Sequence, residues 1–193
     1  MNKNRLEAFS DAVIAIVITI MVLELKVPHG SAIAELKPLI PVIISYVLSF
    51  VYIGIYWNNH HHMLQATTNV NGRILWANSY LLFWLSLVPF VTAWMGENHF
   101  DNWPVACYGF VLLMNAVAYT ILLKTLVSHH GKDSTLAKAV GTDTKGKMSM
   151  LIYFLGIAVA FLNEWVSVAL YVLVAIIWII PDKRIETKLV DKH

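Results

Sequence analysis

Apolar residues fill this chain in long blocks, and charge is confined to the gaps between them. Uncharged stretches cover Ala12–Leu23, Pro38–Trp57, Ile74–Gly96, Asn102–Leu123, Met148–Asn163 and Trp165–Pro181. Several reach the roughly 20 residues that cross ~30 Å of hydrocarbon as an α-helix. The pattern predicts an all-α integral membrane protein with six transmembrane helices, as a single domain over residues 1–193. The first run is short, though Phe9 and Leu25 extend it past the flanking carboxylates. The last two runs are at the lower limit of length, and one long helix over 148–180 is the alternative. Asn163-Glu164 predicts a tight turn instead, because a lone Glu at mid-membrane costs about 2.5–3.5 kcal/mol on insertion scales. Pro89 predicts a kink in the third helix. Asn115, a polar group near the middle of the fourth, is expected to bond between helices.

Composition agrees with that class. The chain is 58% hydrophobic and 13% charged, against about 25% charged residues in soluble domains. Of its 14 Lys and Arg residues, all but Lys26 and Lys37 fall on one side if both termini are cytoplasmic. Clustering of cations on the cytoplasmic side is the usual bias, so a multi-pass protein of the cell membrane is expected, with both termini inside. The longest polar segment, Ser128–Lys147, reads as a cytoplasmic loop with three glycines, Gly131, Gly141 and Gly146. Glu24-Leu25-Lys26-Val27-Pro28 is not a small-residue cleavage site, so no signal peptide is expected. The single Cys107 excludes an internal disulfide. No segment is left over for nucleic acid, and no internal repeat marks an inverted-repeat transporter.

Enzymatic and metal chemistry find little purchase. There is no Gly-x-Ser-x-Gly, His-Glu-x-x-His or phosphate loop. His60, His61 and His62 are adjacent rather than spaced at i, i+4, so no metal site and no cofactor are expected. His60–His62 read instead as an interfacial polar cap on the second helix. A secondary transporter or proton-coupled permease remains the alternative class. Such proteins usually carry an ionisable or broken-helix site near the midplane. Here the polar groups gather at the span ends, apart from Thr19, Ser45, Ser49, Ser86 and Asn115.

The first helix carries the most informative residues. Arg5-Leu6-Glu7-Ala8-Phe9-Ser10-Asp11 leads into Ala12–Leu23, with Glu24 at the far end. At 100° per residue, Ala12, Ala15, Ile16, Thr19, Ile20 and Leu23 share one face, and Ile14, Val17, Ile18, Met21 and Val22 the other. The first face suits packing on other helices, with Thr19 bonded back to the Ala15 carbonyl, and it also suits a narrow pore. The wheel by itself favours packing. Arg5 and Asp11 stand about 120° apart on a helix, a poor in-helix pair. Asp11 alone could be an anion at a helix N-terminus.

Arg5-xxx-Phe9-Ser10-Asp11 heading an apolar helix resembles the signature of the lysosomal-type potassium channels, the transmembrane protein 175 family, in its short prokaryotic form. Tyr56-Trp57-xx-His60-His61, Trp76-Ala77-Asn78 and Ser86-xx-Pro89-Phe90-xxx-Trp94 follow in the family's order and spacing, so the likeness spans residues 5–94. The resemblance implies a homotetramer in the lipid membrane whose first helices line a central pore for K⁺ and other monovalent cations. It implies pore constrictions at Ile16, Ile20 and Leu23 and a hydroxyl ring at Thr19 that touches ions. It further implies a network of Arg5, Phe9, Ser10, Asp11, Trp57 and His60 holding the inner end of the pore helix.

Such a pore has no carbonyl filter. Cys107-Tyr108-Gly109 echoes part of the usual Thr-Val-Gly-Tyr-Gly sequence but lies inside an apolar helix, where it is expected to pack. Conduction then needs wetting or widening of an apolar neck. Selectivity would come from the cost of dehydration plus the Thr19 hydroxyls, which predicts a modest K⁺ preference. Glu24 could form an acidic ring at the outer mouth, or be an interfacial residue with no partner.

Overall fold

The computed structural model describes residues 3–131, 134, 136–137 and 143–179. Lys132, Lys138 and the tail cations from Lys183 onward lie outside these, as does the end of the last predicted span at Pro181. The described residues form helices α1 (Lys3–Leu23), α2 (Ile40–Gln65), α3 (Gly72–Ser86), α4 (Val88–Glu97), α5 (Asn102–His130), α6 (Thr144–Val159) and α7 (Glu164–Ile179). A short 3₁₀ segment, Ile33–Leu39, leads into α2. Since α3 and α4 make one broken rod, six rods result. Four of them are long and apolar enough to cross a membrane: Lys3–Leu23, Ile33–Gln65, Gly72–Glu97 and Asn102–His130. The last two helices have 16 residues each.

The break between α3 and α4 falls at Leu87, two residues before Pro89. Proline has no N–H to give the Leu85 carbonyl, and its ring crowds that carbonyl, so the turn before it loosens. Leu87 N–H tightens onto the Trp84 carbonyl (3.2 Å), and Ser86 Oγ donates to the Phe83 carbonyl (2.7 Å). The turn at Asn163 separates α6 from α7 as its sequence suggests. Its side chain accepts from Trp165 N (3.0 Å) and Val166 N (3.2 Å), satisfying two amides that have no partner in the first turn of α7.

The first helix is longer than the uncharged run. It starts at Lys3, so Asp11 lies two turns inside it rather than at its N-terminus. The helix-dipole reading of Asp11 therefore does not apply. Likewise α2 continues past Trp57 to Gln65, and His60 sits inside the bundle rather than on an interfacial cap.

Helix α3 packs on α5, α5 on α6, α6 on α7 and α2 on α4, while α1 lies across α2, α3 and α4. Polar side chains join these rods from within, as expected where no water competes. Ser49 of α2 bonds both Thr92 of α4 (2.6 Å) and the Tyr108 hydroxyl of α5 (3.0 Å). Tyr52 Oη donates to the Tyr171 carbonyl (2.6 Å), and Ser167 Oγ to the Gly156 carbonyl (2.7 Å). Asn115 donates within α5 to the Val111 carbonyl (2.9 Å) and, at longer range, across to the Trp84 carbonyl of α3 (3.4 Å). Tyr108 packs among buried rings beside Tyr171, so the Cys107-Tyr108-Gly109 sequence belongs to the core.

The two ends of the bundle are each stitched across loops. At one end Lys26 pairs with Glu97 (2.6 Å), joining the α1–α2 connection to the end of α4. The Glu97 carboxylate, by hydrogen bond and charge, holds the Lys26 ammonium above its usual range, with a smaller push from Glu24. At the other end Lys3 Nζ donates to the Leu64 and Gln65 carbonyls (both 3.3 Å), and His129 bonds Asn69 and Asn71.

Tyr171 of α7 passes between two glycines, Gly109 of α5 and Gly156 of α6. A methyl group at Gly109 would collide with the phenol, and Tyr171 is fully buried. We expect Gly109→Ala to cost about 1–3 kcal/mol, the usual penalty for overpacking. Gly72→Ala, where a methyl meets nothing within 4 Å, should leave stability unchanged. Heat-challenge size-exclusion midpoints of the detergent-solubilised variants check this; equal midpoints would place Tyr171 elsewhere.

Candidate functional site at the first helix

Helix α1 has two unlike faces. Leu6, Ser10, Ile14, Val17 and Met21 recur every three or four residues and are buried against the neighbouring rods. Ile14 is only 2% exposed. The other face holds Phe9, Ala12, Ala15, Ile16, Thr19, Ile20 and Leu23, all exposed on the subunit. Ile16 is 57% and Leu23 76% exposed. The wheel's preference for packing on this face is therefore not met within the subunit: the opposite face does the packing. Thr19 does bond back to the Ala15 carbonyl (2.9 Å). That bond uses its only hydrogen, so on the exposed face its oxygen can act only as an acceptor.

The buried face carries a polar lock at the Lys3 end. Ser10 Oγ donates to the Leu6 carbonyl (2.8 Å) and accepts from Asn78 Nδ2 of α3 (2.9 Å). Asn78 Oδ1 in turn lies 2.7 Å from His60 Nε2 of α2, which must be the protonated ring nitrogen for that bond to form. Ser10, Asn78 and His60 are all buried, and His60 Nδ1 has no hydrogen-bond partner among the described residues. One hydroxyl, one amide and one imidazole thus tie α1, α3 and α2 together. Beside them Trp57 Nε1 donates to Asp11 Oδ1 (3.0 Å), and His61 stacks on Trp57 and meets the Glu7 carboxylate (3.1 Å).

The structure thus brings together Ser10 with His60, through Asn78, and Asp11 with Trp57. Arg5 and Phe9 stand apart: both are exposed on the subunit, and Arg5 forms no ion pair among the described residues. Phe9 instead continues the exposed apolar face of Ile16. The central residue, Asn78, was visible in sequence only as part of Trp76-Ala77-Asn78; its signal is a lone amide inside an otherwise apolar run. Glu24 follows the end of α1, exposed and close to Lys26. The histidines diverge: His60 turns to Asn78 and His61 to Gln65 and Glu7. Among the described residues no group of three His, Cys, Asp or Glu side chains converges on one point.

A helical bundle with apolar rods, internal polar bonds and charge at its two ends is a multi-pass integral membrane protein. A family profile described as endosomal/lysosomal potassium channel TMEM175 matches residues 5–89. A potassium channel of Chryseobacterium sp. (strain P1-3) is 54% identical, with 98% of each chain covered. A potassium channel of Streptomyces collinus is 30% identical over 91% of each chain. The crystal structure of a lysosomal potassium-selective channel TMEM175 homolog from Chamaesiphon minutus superposes with a TM-score of 0.82 at 28% identity, covering 93% of this chain and 97% of that one. The chain belongs to the TMEM175 family.

The buried lock has a measurable consequence. Removing the Asn78 amide strands the His60 Nε2–H, at about 1–3 kcal/mol for a buried group left unpaired, and takes from Ser10 the bond it accepts while its own bond to the Leu6 carbonyl remains. Asn78→Ala should lower the thermal midpoint of the purified protein by several degrees. Glu7→Ala removes only a partly exposed pair and should shift it little. Equal midpoints for both variants would mean that the lock is not structural.

Proposed function

We propose that the chain is a potassium-preferring cation channel, a homotetramer whose α1 helices line a central pore. The observation that carries this is the uncovered apolar face of α1, in a chain 54% identical over nearly its whole length to a protein named a potassium channel. A row of Ile16, Ile20 and Leu23 facing hydrocarbon would need no hydroxyl beside it, whereas around an axis the row becomes a neck. Ile16 and Leu23 are seven residues apart, about 10 Å of helix rise. Four copies of each side chain would exclude water until the neck widens or wets, a hydrophobic gate. The Thr19 oxygens, with their hydrogens already committed to Ala15, would offer acceptors to a partly dehydrated cation. K⁺ sheds water at less cost than Na⁺, so the preference is for K⁺. Glu24, one residue beyond Leu23, would ring the mouth and concentrate cations.

The lock of Ser10, Asn78 and His60, with the Asp11–Trp57 bond, would hold the inner end of each α1 at fixed rotation, keeping Ile16 and Thr19 on the axis. Arg5 and Phe9, free of the subunit's own lock, would contribute at contacts between subunits. In the cell membrane both termini would be cytoplasmic.

Reconstituted single-channel recording tests the reading. Stepwise K⁺ currents are expected, and saturable flux without steps would sink it. Ile16→Asn should raise current and weaken discrimination, and Thr19→Ala should lower K⁺ preference in mixed K⁺/Na⁺ reversal potentials while the tetramer persists. Ile18→Asn, on the packed side, should harm assembly instead. Unchanged current and reversal potential in both Ile16→Asn and Thr19→Ala would remove α1 from the ion path.

Orientation has its own test, in a Cys107→Ser background. Asn98→Cys should react with impermeant thiol reagent on intact cells, and Lys147→Cys only after permeabilisation. The reverse pattern would invert the topology.

A further inference from the structure

At the Lys3 end of the bundle, away from α1, a polar cleft of about 690 Å³, including its open mouth, lies between the start of α3 and the last turns of α5. Among the described residues it is lined by Asn71, Arg73, Lys124, Thr125, Ser128 and His129, none of them acidic. We propose that this cleft binds the phosphate of an anionic phospholipid headgroup.

The donors converge from two helices. Arg73 lies in the first turn of α3, where the Gly72 and Arg73 amides have no intrahelical acceptor and the helix dipole favours an anion. Lys124 and Ser128 are four residues apart, on one side of α5. Among the described residues neither Arg73 nor Lys124 is drawn into an ion pair. The wall between them is held by a neutral framework. His129 Nδ1 lies 3.1 Å from Asn71 Nδ2 and its Nε2 lies 2.7 Å from Asn69 Oδ1. That pattern needs an Nδ1 that accepts and an Nε2–H that donates, the neutral imidazole. Asn71 Oδ1 meanwhile caps Ile74 N (3.0 Å). The cleft is therefore shaped by His129 and Asn71 and charged by Arg73 and Lys124.

Depth selects a lipid over a soluble phosphate. Trp76, one turn into α3 from Arg73, is 80% exposed, and Phe83 further along is also exposed. Exposed Trp marks the level of the membrane–water interface, and exposed Phe lies in the hydrocarbon. On α5 the same order holds, with exposed Ile121 and then Phe110 beyond Lys124. Arg73 and Lys124 thus stand at headgroup level above an apolar surface that acyl chains can cover. Basic pockets between spans at that level recognise anionic headgroups. The inference does not depend on what crosses the pore.

The experiment is native mass spectrometry of the purified, delipidated protein titrated with phosphatidylglycerol or phosphatidylcholine. Wild type should retain phosphatidylglycerol preferentially, and Arg73→Ala/Lys124→Ala should lose that preference by about tenfold or more. Lys147→Ala, which removes a cation elsewhere on the same end, should leave it intact. Equal loss in Lys147→Ala, or no preference in wild type, would reduce the effect to general surface charge and overturn the site. Displacement of the lipid by millimolar inorganic phosphate would make it a soluble-anion site and overturn the lipid assignment. If the double variant is poorly folded, Arg73→Gln/Lys124→Gln provides the same reading with the stems retained.

Discussion

The Asn78 side chain is where three helices are fixed to one another. Its amide gives a hydrogen to Ser10 on α1, and its carbonyl oxygen receives one from His60 on α2. In a dry interior the Asn78 amide and the His60 Nε2–H would otherwise be stranded, so the bonds act as a rotational key. Turning α1 by one residue would swing Ser10 away by about 100° and leave the Asn78 Nδ2 group without its acceptor. Apolar packing alone has no such selectivity, because Ile and Val side chains fit many registers nearly as well.

Everything else about α1 follows from that fixed rotation. With Ser10 inward, Ile14, Val17 and Met21 also face inward, and Phe9, Ile16, Thr19 and Leu23 must face out. The exposed face is thus not a leftover of poor packing. It is the geometric complement of a polar lock, and it carries the hydroxyl that the proposed pore requires. The Leu23 end is held separately, by Lys26 on Glu97. The deeper bundle relies on a second group of polar contacts, from Ser49, Thr92, Tyr108, Tyr52 and Tyr171. Rigid elements anchored at both ends suit a helix whose exposed face must hold its position.

The same end of the bundle that holds the lock also gathers loop-to-helix bonds. Lys3 reaches the last carbonyls of α2, Thr68 N donates to His130, and His129 joins Asn69 and Asn71. A headgroup seated between Arg73 and Lys124 would add one more tie to this collar, between α3 and α5. It would do so on the helix that also carries Asn78.

Sequence alone determined the class and the number of rods, because burial in hydrocarbon is a demand on composition over some twenty consecutive residues. It also located the Pro89 break and the Asn163 turn, since each rests on the chemistry of one residue and its nearest neighbours. The Arg5-xxx-Phe9-Ser10-Asp11 motif pointed to the family. The wheel favoured packing on the Ile16–Thr19 face, and the subunit packs on the other, because both sides are apolar and periodicity does not tell them apart. Only the tertiary structure decided it, through contacts between Ser10, Asn78 and His60 that are 68 and 18 residues apart in the chain. The extension of α1 back to Lys3, the standing apart of Arg5 and Phe9, and the meeting of Arg73 with Lys124 were decided in the same way. Each depends on where a distant helix lies, and local periodicity carries no record of that.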